Sequence, residues 1–334
     1  MIVILYITDG GYHLSKRLLD LYPEAVLVKY SKEILPDIWK RHNRFVFIMA
    51  TGIVVRAIAN LLRDKETDPA VVVLDEKGRY AISLVSGHIG GANRLAKEIA
   101  DFLGGDPVIT TASDILNLPS LDIWALNNDL TIEDHGQALK KRSSLLVNKG
   151  DIRVYTEIPI DNPPDAFKLV ALHSDADIII SNRYPHLPPF TSHLPPSASL
   201  TPILYLRPKN LVLGIGLRRG TTSKAIEDNI IDIFKENNLS IYSIRNLATI
   251  DKKRDEKGLI DFSGKFSIPI IFYTADELNQ IDVDQPSPHV VKATGAMGVA
   301  EPAAILSSNN GRSLLKKIKR GDMTLAIREV SFRL

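Results

Sequence analysis

Short apolar runs alternate with helical patterns through the first third of the chain, and this alternation most constrains the fold. Continuous apolar runs are typical of strands that are covered on both faces. They predict strands at 2–8, 45–50, 70–75, 80–85 and 107–110, with a glycine turn after the first strand and a hairpin turn at Glu76–Gly78 between 70–75 and 80–85. Helical patterns follow at about 12–21, 53–63 and 91–103. This order predicts an α/β fold in which a mostly parallel N-terminal sheet has helices on both faces, as a three-layer structure.

Changes in periodicity and proline content divide the chain into an N-terminal domain at 1–114, a variable middle domain at 115–205 and a C-terminal domain at 211–334. The middle domain is predicted to be small and α/β. Its predicted elements are a helix near 132–142 and strands near 144–148, 152–156 and 177–181. Prolines punctuate 184–210, and because proline fixes φ and removes a backbone donor, we expect an irregular linker there. The pattern restarts at 211 and predicts a separate α/β domain, with strands at 210–216, 240–245, 269–273 and 323–330.

The composition excludes several classes of protein. The chain has 334 residues and no cysteine, so disulfides, thiolate nucleophiles and cysteine-ligated metals are excluded. Its net charge is only +2, unlike most nucleic-acid-binding proteins, and the short basic cluster at 316–320 is interpreted as a solvated helix end. The apolar start is too short to span a bilayer and lacks the features of a signal peptide. We therefore expect a cytoplasmic protein with neither nucleic-acid nor membrane partners.

The segment SGHIGGAN at 86–93 is the strongest local motif. It leaves a predicted strand and enters a predicted helix, whose first turn has free N–H groups that favour negative charge. Histidine exchanges protons near neutral pH, so His88 is a candidate base, and Asn93 falls in the first helical turn. Four small residues let a ligand approach the backbone: Ser86, Gly87, Gly90 and Gly91. A glycine-rich turn around a structural histidine is the alternative interpretation.

Two further strand ends in the same domain carry polar residues. Thr51 follows the strand at 45–50 and is predicted to cap a helix that carries Arg56. Thr110 ends the strand at 107–110, and the hydroxyls of Thr111 and Ser113 follow it. Because ligands bind at the carboxyl ends of strands in open α/β sheets, we expect these residues to share a site with the 86–93 loop. An exposed arginine on a capped helix and an ordinary hydroxyl-rich turn are the alternatives.

The segment GIGLRRGTTSKAI at 214–226 is a second candidate site. Its glycines are predicted to form a loop, Thr221 or Thr222 to cap the next helix, and Arg218 and Arg219 to bind a carboxylate or phosphate. Glu301 lies in the first turn of another predicted helix, where a carboxylate also favours the helix dipole. The spacing GxGxxxG departs from the dinucleotide fingerprint, and the predicted strand at 240–245 closes on Arg245. A nucleotide-dependent oxidoreductase, biased towards the phosphorylated cofactor, stays an alternative.

Residues 50–114 resemble the N-terminal domain of the CbiG family, the cobalt-precorrin-5A hydrolases. GIGLRRGTTSKAI, LATIDKKRDEKGL and TGAMGVAEPAAIL resemble its C-terminal domain, which also occurs alone in CobE-type proteins. The resemblance implies an enzyme of anaerobic cobalamin biosynthesis that opens the ring A lactone of cobalt-precorrin-5A and releases acetaldehyde, giving cobalt-precorrin-5B. It implies a tetrapyrrole substrate that carries the cobalt, and no cofactor or metal of the protein's own. Other pathway enzymes and a second copy of the chain are compatible partners.

Lactone hydrolysis requires an activated water and donors for the developing oxyanion. We hypothesise that His88 is the general base and that N–H groups around Gly90 and Gly91 bind the oxyanion. Thr51, Thr110 and Asn93 would then orient ring A. The guanidinium groups of Arg56, Arg218 and Arg219 would bind substrate carboxylates, which places the expected site between the N- and C-terminal domains. The alternative is a corrinoid carrier without catalytic activity.

Overall fold

The computed structural model describes residues 1–64, 67–88, 90–135, 137–184, 202–282 and 288–334. The chain divides into two compact units, Met1–Trp124 and Ala125–Leu334. The finer domain boundaries expected from sequence, at 114 and 205–211, stay predictions. Within the described ranges, no helix combines the length and apolar character needed to cross a membrane.

The first unit is built on a six-stranded sheet in the order β2-β1-β3-β4-β5-β6. Its strands are Ile2–Tyr6 (β1), Val26–Lys29 (β2), Arg44–Ile48 (β3), Ala70–Leu74 (β4), Tyr80–Val85 (β5) and Asp106–Val108 (β6). Its helices are Asp9–Leu21 (α1), Leu35–Trp39 (α2), Thr51–Ile58 (α3), Ala92–Leu103 (α4) and Ala112–Ile115 (α5). A further helix, Leu121–Asn127 (α6), crosses the division between the units.

Helices cover both faces of this sheet, which confirms the predicted three-layer architecture. Leu14 and Leu18 of α1 pack with α4 against one face. Val54 and Ile58 of α3 pack with α2 against the other. The apolar residues of β4 are therefore buried on both faces, as a continuous apolar run predicts.

The direction of the strands reverses in the middle of the sheet. β1 to β4 are parallel, but β5 is antiparallel to β4, with Leu74 paired to Ala81 and Val71 to Val85. β6 is parallel to β5. The carboxyl ends of β5 and β6 therefore lie at the opposite edge of the sheet from those of β1, β3 and β4. Because β4 has five residues at about 3.3 Å each, the two edges are separated by roughly 15 Å.

Two local predictions in this unit are wrong. The strand β1 was expected to end in a glycine turn, but Thr8 caps α1 by accepting a hydrogen bond from Gly11, so both glycines lie inside the helix. Thr51 was expected to cap the following helix. The extended Ala50 occupies the N-cap position instead, and Thr51 is the first residue of α3.

The second unit contains two five-stranded sheets, of which the first has the order β7-β11-β10-β8-β9. Its strands are Leu130–Glu133 (β7), Ile152–Thr156 (β8), Phe167–Leu169 (β9), Ile178–Ile180 (β10) and Leu204–Pro208 (β11), and its helix is Ala138–Lys149 (α7). The helix predicted near 132–142 begins later, at Ala138, because Leu130–Glu133 form β7. The strand predicted near 144–148 is wrong: a short apolar run such as Leu145–Val147 suits either structure, and here it continues α7.

Part of the proline-rich stretch is regular structure, contrary to prediction. β11 pairs in parallel with β10 and antiparallel with β7, and Pro208 is its last residue. Proline has no N–H to donate to a neighbouring strand, but at the end of a strand no hydrogen bond inside the sheet is lost, so the strand tolerates it. The prolines between 185 and 201 lie outside the described residues.

The second sheet of this unit has the order β14-β13-β12-β16-β15. Its strands are Leu211–Leu217 (β12), Ile244–Ile250 (β13), Ile270–Tyr273 (β14), Arg312–Arg320 (β15) and Met323–Glu329 (β16). Its helices are Ser223–Glu236 (α8), Lys257–Phe266 (α9), Ala275–Leu278 (α10), Pro288–Thr294 (α11) and Ala300–Ser307 (α12). The basic cluster at 316–320 belongs to the edge strand β15 rather than to a helix end, and lysines on an edge strand discourage pairing with other chains.

Buried polar contacts join the two sheets of the second unit. The Asn182 side chain donates to Glu329 at 2.6 Å and to Asn210 at 3.0 Å. Glu133 accepts a buried hydrogen bond from Ser240 at 3.3 Å. Because buried polar groups are costly without partners, these contacts fix the relative position of the two sheets.

Candidate functional site

The strand reversal separates the predicted residues of the first unit into two groups. Thr51 and Arg56 lie at the carboxyl ends of β3 and β4, which we call the Thr51 edge. The 86–91 loop after β5 and the threonines after β6 lie at the opposite end of the strands, which we call the His88 edge. The expectation that Thr51 and Arg56 share one site with His88 is therefore wrong. A sheet with mixed strand directions does not gather all its strand ends at one edge.

Asn93 is the centre of the His88 edge. It lies in the first turn of α4, as predicted, and is 7% exposed. Its Oδ1 accepts from Ser83 at 2.6 Å, and its Nδ2 donates to Asp114 at 2.8 Å and to Thr111 at 3.2 Å. The amide thus fastens the 111–114 segment to β5 and α4. These internal bonds make Asn93 a residue that positions others rather than one that contacts a substrate.

His88 lies beside this fastened segment. Its Nε2 is 3.3 Å from the Ser113 hydroxyl, and its Nδ1 is 3.9 Å from Asp114 Oδ2. The other carboxylate oxygen of Asp114 is 3.9 Å from Lys97 Nζ. The His88 side chain is 30% exposed and that of Asp114 is 25% exposed, so both can be reached from solvent.

The described backbone of the 86–91 loop, at 86–88 and 90–91, is constrained. Ser86 and Gly91 have positive φ values of 55° and 84°. Such a conformation is unusual for serine, and its hydroxyl is tied to the Asp68 carbonyl at 2.8 Å. A Cβ on Gly87 would lie 2.6 Å from Asn93 Oδ1, and one on Gly90 would lie 2.5 Å from the Ser86 Cβ. The glycines therefore permit close packing inside the loop itself.

One of the backbone N–H groups predicted to bind the oxyanion already donates a hydrogen bond within the loop. The Gly91 N–H donates to the His88 carbonyl at 2.9 Å, which closes the loop into a turn. That bond removes Gly91 as a free donor in this conformation. Thr110, by contrast, is exposed beside Thr111 at the His88 edge and is accessible to a ligand.

The Thr51 edge has a different character. A cavity of about 340 Å³ lies there. Its lining combines apolar residues at the ends of β3 and β4 and at the start of β5 with the polar residues Thr8, Thr51, Asp75 and Glu76. Thr8 donates to Glu76 at 2.6 Å. The two carboxylates make this cavity a poor place for an anionic group. Arg56 is exposed and donates to the Gly52 carbonyl within its own helix at 3.0 Å.

In the second unit, a buried carboxylate fixes the arginine-bearing loop after β12. Glu256 is 5% exposed, accepts from the Gly220 N–H at 2.7 Å and pairs with Lys253 at 3.1 Å. Arg218 and Arg219 are exposed and lie 3.1 Å and 3.0 Å from carboxylate oxygens of Asp322 and Asp255, respectively. Exposed ion pairs contribute little, so either guanidinium can turn to an anionic ligand at small cost.

The remaining predicted residues of this unit lie at the same edge of its sheet. Thr222 caps α8 by accepting from the Ala225 N–H, as predicted, and the Thr221 hydroxyl donates to the Arg218 carbonyl at 2.7 Å. Glu301 lies in the first turn of α12. The preceding residue of that helix, Ala300, packs against β12 so closely that a Cβ on Gly214 would lie 1.8 Å from its carbonyl oxygen.

Two parts of the dinucleotide alternative need correction. Gly214 and Gly216 lie inside β12 and pair with β16, so they do not form the predicted phosphate-binding loop. The small size of Gly214 serves the packing of α12 instead. The next strand also does not close on Arg245. It runs to Ile250, and Asp251 follows it.

Sequence reasoning missed three side chains of the His88 edge, Ser83, Lys97 and Asp114, and named Ser113 only as a hydroxyl of the strand end without assigning it a role. A signal for Lys97 was present, because residues four apart face the same side of a helix and Asn93 was already a candidate. Ser113 and Asp114 stand in the TTASD segment, directly after the two threonines that were selected. Only the pairing of β6 with β5 shows that they face His88 rather than Thr51.

Buried ion pairs elsewhere in the second unit have a structural role. Burial raises the pKa of Asp177, but hydrogen bonds from Arg153 and the charges of Arg142 and Arg153 outweigh it and hold the pKa below its usual value. Burial likewise raises the pKa of Glu133, and hydrogen bonding to Tyr184 with the charge of Arg207 lowers it overall.

Comparison with known proteins gives consistent matches along the chain. The family model described as "Cobalamin synthesis G N-terminal" matches residues 33–114, and the one described as "Cobalamin synthesis G C-terminus" matches residues 211–328. The cobalt-precorrin-5A hydrolase of Priestia megaterium is 36% identical over 304 residues, which cover 88% of this chain and 80% of the relative. The cobalt-precorrin-5A hydrolase of Salmonella typhimurium is 30% identical, over 98% of this chain and 97% of the relative.

The protein CobE of a Sinorhizobium species is 28% identical over 120 residues, covering 35% of this chain and 78% of that protein. The N-terminal and C-terminal family models match in the order in which they stand along the chain. The similarity to the Salmonella typhimurium protein covers 98% of the chain and so extends beyond the residues that either model matches. The chain therefore belongs to the cobalamin synthesis G (CbiG) family.

Proposed function

We propose that the protein is a cobalt-precorrin-5A hydrolase of cobalamin biosynthesis. In this reaction water opens the ring A lactone, acetaldehyde leaves, and cobalt-precorrin-5B is formed. The observation that carries the proposal is the similarity along nearly the whole chain to two proteins that bear this name. The cobalt ion is part of the substrate, and the proposal places the protein in the cytoplasm with its small-molecule substrate.

The His88 edge supplies the chemistry that lactone opening requires. A general base must reach the proton that it removes directly or through one water, and the 30% exposure of the His88 side chain leaves the ring open to both. The imidazole faces Ser113 on one side and Asp114 on the other. The exposed Thr110 hydroxyl is available for orienting the ring A substituents. Thr51 and Arg56 have no part in this step because they lie at the other edge of the sheet.

The arginine-bearing loop supplies the groups that suit the substrate's carboxylates. Arg218 and Arg219 project from a loop that the buried Glu256 holds in place, so their main chain is fixed while their side chains can move. Guanidinium groups bind carboxylates through paired hydrogen bonds. We therefore assign substrate binding to this loop.

The proposal is tested by incubating the protein with cobalt-precorrin-5A under anaerobic conditions. Acetaldehyde is trapped as a hydrazone and the corrinoid product is followed by mass spectrometry. We expect stoichiometric acetaldehyde with the wild type and a loss of about a hundredfold or more in His88→Ala, the usual range for removing a general base. His173→Ala, which changes a histidine of the second unit, is the matched control and should keep its activity.

Two outcomes would contradict the proposal. Binding of cobalt-precorrin-5A without acetaldehyde release would identify a corrinoid carrier instead. A saturable fluorescence change on titration with NADPH would favour the nucleotide-dependent alternative, which the strand positions of Gly214 and Gly216 disfavour.

A further inference from the structure

We propose that Ser113 is the nucleophile that opens the lactone, with His88 as its base and Asp114 as the residue that positions His88. This inference rests on the proposed function and adds a covalent intermediate to it. It starts from one geometric fact: the two nitrogens of the His88 ring face different partners. Nε2 is 3.3 Å from Ser113 Oγ, and Nδ1 is 3.9 Å from Asp114 Oδ2.

This arrangement has the connectivity of a nucleophile, a base and an orienting acid. A serine hydroxyl attacks carbonyl groups when a neighbouring base accepts its proton, and a carboxylate on the other ring nitrogen selects the tautomer that can accept it. Both distances exceed ideal hydrogen-bond lengths. Such contacts are commonly longer without substrate and shorten when the substrate is bound.

Side chains of α4 hold the segment that carries Ser113 and Asp114 in place. Asn93 donates to Asp114 at 2.8 Å and to Thr111 at 3.2 Å, so the residues on both sides of Ser113 are anchored to α4. Lys97, one turn further along α4, adds a positive charge near the second oxygen of Asp114. A nucleophile must be held within a fraction of an ångström of its productive position, and this second layer of contacts provides that.

The surroundings of the three side chains suit a reaction rather than a purely structural contact. Ser113 is half-buried, and His88 and Asp114 keep about a quarter of their side-chain surface exposed. A structural histidine normally satisfies its ring nitrogens with short hydrogen bonds in the interior. The ring instead stands at the surface of the sheet edge with a hydroxyl at one nitrogen.

The covalent step balances without any additional reactant. Ser113 Oγ bonds to the lactone carbonyl carbon while its proton passes to His88 Nε2. The bond between that carbon and the ring oxygen of the lactone breaks, and the leaving alkoxide takes the proton from His88. Water then attacks the acyl-serine ester and gives a proton to His88. The bond between the acyl carbon and Ser113 Oγ breaks, His88 returns that proton to Oγ, and the acid product is released and ionises to the carboxylate. The freed hydroxyl is the one from which acetaldehyde is subsequently expelled.

The absence of cysteine from the sequence permits a direct test. In Ser113→Cys the introduced thiol is the only one in the chain, so alkylation by iodoacetamide reports its activation by His88 without interference. We expect alkylation at pH 7 at least tenfold faster than in Ser120→Cys, a half-buried serine in the same unit whose hydroxyl is bonded to Asp122. Adding His88→Ala to Ser113→Cys should remove the difference, and adding Asp114→Asn should reduce it.

Acetaldehyde release supplies the second readout. Ser113→Ala should lose about a thousandfold in rate while keeping the wild-type thermal midpoint, and Ser120→Ala should keep its activity. In the wild type, acid quenching during turnover should yield a protein whose mass is increased by the corrinoid acyl group, on the peptide that contains Ser113. Ser113→Ala with wild-type acetaldehyde release, or equal alkylation rates at positions 113 and 120, would overturn the assignment.

Failure of this inference is distinguishable from failure of the proposed function. If the wild type releases acetaldehyde but Ser113→Ala does so equally fast, the hydrolase assignment stands and Ser113 is not the nucleophile. If cobalt-precorrin-5A is not consumed while Ser113→Cys is alkylated rapidly, the activated side chain is real and the substrate assignment is wrong.

Discussion

Replacing Asn93 by leucine should separate positioning from catalysis at the His88 edge. The substitution keeps a similar volume in a side chain that is 7% exposed, so the measured effect comes from the hydrogen bonds. Asn93 makes one bond to a carboxylate and two to hydroxyl groups. Losing a bond to a charged group costs about 1.5–3 kcal/mol and losing a neutral one about 1 kcal/mol. The free energy of unfolding should therefore fall by about 3–5 kcal/mol.

The assay is differential scanning calorimetry combined with acetaldehyde release. For a unit of this size, each kcal/mol corresponds to a shift of about 3–5 °C in the midpoint, so we expect a decrease of about 10–20 °C. Activity measured well below the lowered midpoint should also fall, by about tenfold or more, because Asp114 and Ser113 lose their anchor.

Arg94→Ala is the matched control. It changes the next residue of the same helix, whose side chain is 69% exposed and pairs with Glu98. The expected cost of losing such a surface pair is below about 0.5 kcal/mol. If Asn93→Leu shifted the midpoint no more than Arg94→Ala does, the interpretation of Asn93 as the structural centre of this edge would be refuted.

Three further predictions follow from other contacts. Gly87→Ala should reduce acetaldehyde release by about tenfold or more, because the new methyl group would lie 2.6 Å from Asn93 Oδ1 and must displace that side chain. The stability of the second unit should decrease as the pH falls below about 4, because the native pKa of Asp177 lies below its unfolded value and the unfolded chain takes up the proton first. The double change Arg218→Ala with Arg219→Ala should raise the KM for cobalt-precorrin-5A about tenfold or more, with kcat nearly unchanged.

Each of these has a control in the chain. Gly91→Ala introduces no contact within 4 Å and carries only the backbone cost of a φ of 84°, about 1 kcal/mol. Urea unfolding midpoints at pH 6 and pH 3 should differ less in Asp177→Asn than in the wild type, whereas the exposed Asp228→Asn should leave the difference unchanged. Arg320→Ala removes an arginine of the edge strand β15 that pairs with Glu236 of α8, and it should leave the KM unchanged. A KM unaffected by the double arginine change would exclude the loop from substrate binding.

The sequence predicted strands best where both faces of the sheet are covered. Five strands of the first unit (β1, β3, β4, β5 and β6) and the hairpin between β4 and β5 lie within a few residues of their predicted positions, because a continuous apolar run flanked by turns has few other solutions. The sixth strand, β2 at Val26–Lys29, was not predicted, and its residues are exposed or only partly buried. It was least informative in the middle sheet, where short strands carry charged residues. Glu133 and Arg207 form an ion pair that is almost completely buried. The two residues are far apart in the sequence, so no local pattern predicts that they will neutralise each other in the interior.

The composition of the candidate site depended on one strand direction. The sequence placed His88, Thr51 and Thr110 at strand ends, and each of those placements is right. The prediction that these three residues share one site assumed that all the strands before them are parallel. The hairpin turn at Glu76–Gly78 already contradicted this assumption. A two-residue or three-residue turn can join only antiparallel neighbours, so the end of β5 had to lie opposite the end of β4.

That reversal also explains which residues complete the site. β6 follows β5 through a helix and must therefore run parallel to it, which carries the TTASD segment to the His88 edge. The helix between them, α4, begins at the same edge and contributes Asn93 and Lys97 from successive turns. A single β-α-β unit, β5-α4-β6, thus brings together His88, Asn93, Ser113 and Asp114. The proposed nucleophile, its base and the residues that position them all belong to this β-α-β motif and the segment that follows it. Substitutions at the Thr51 edge should therefore leave the rate of Ser113 acylation unchanged.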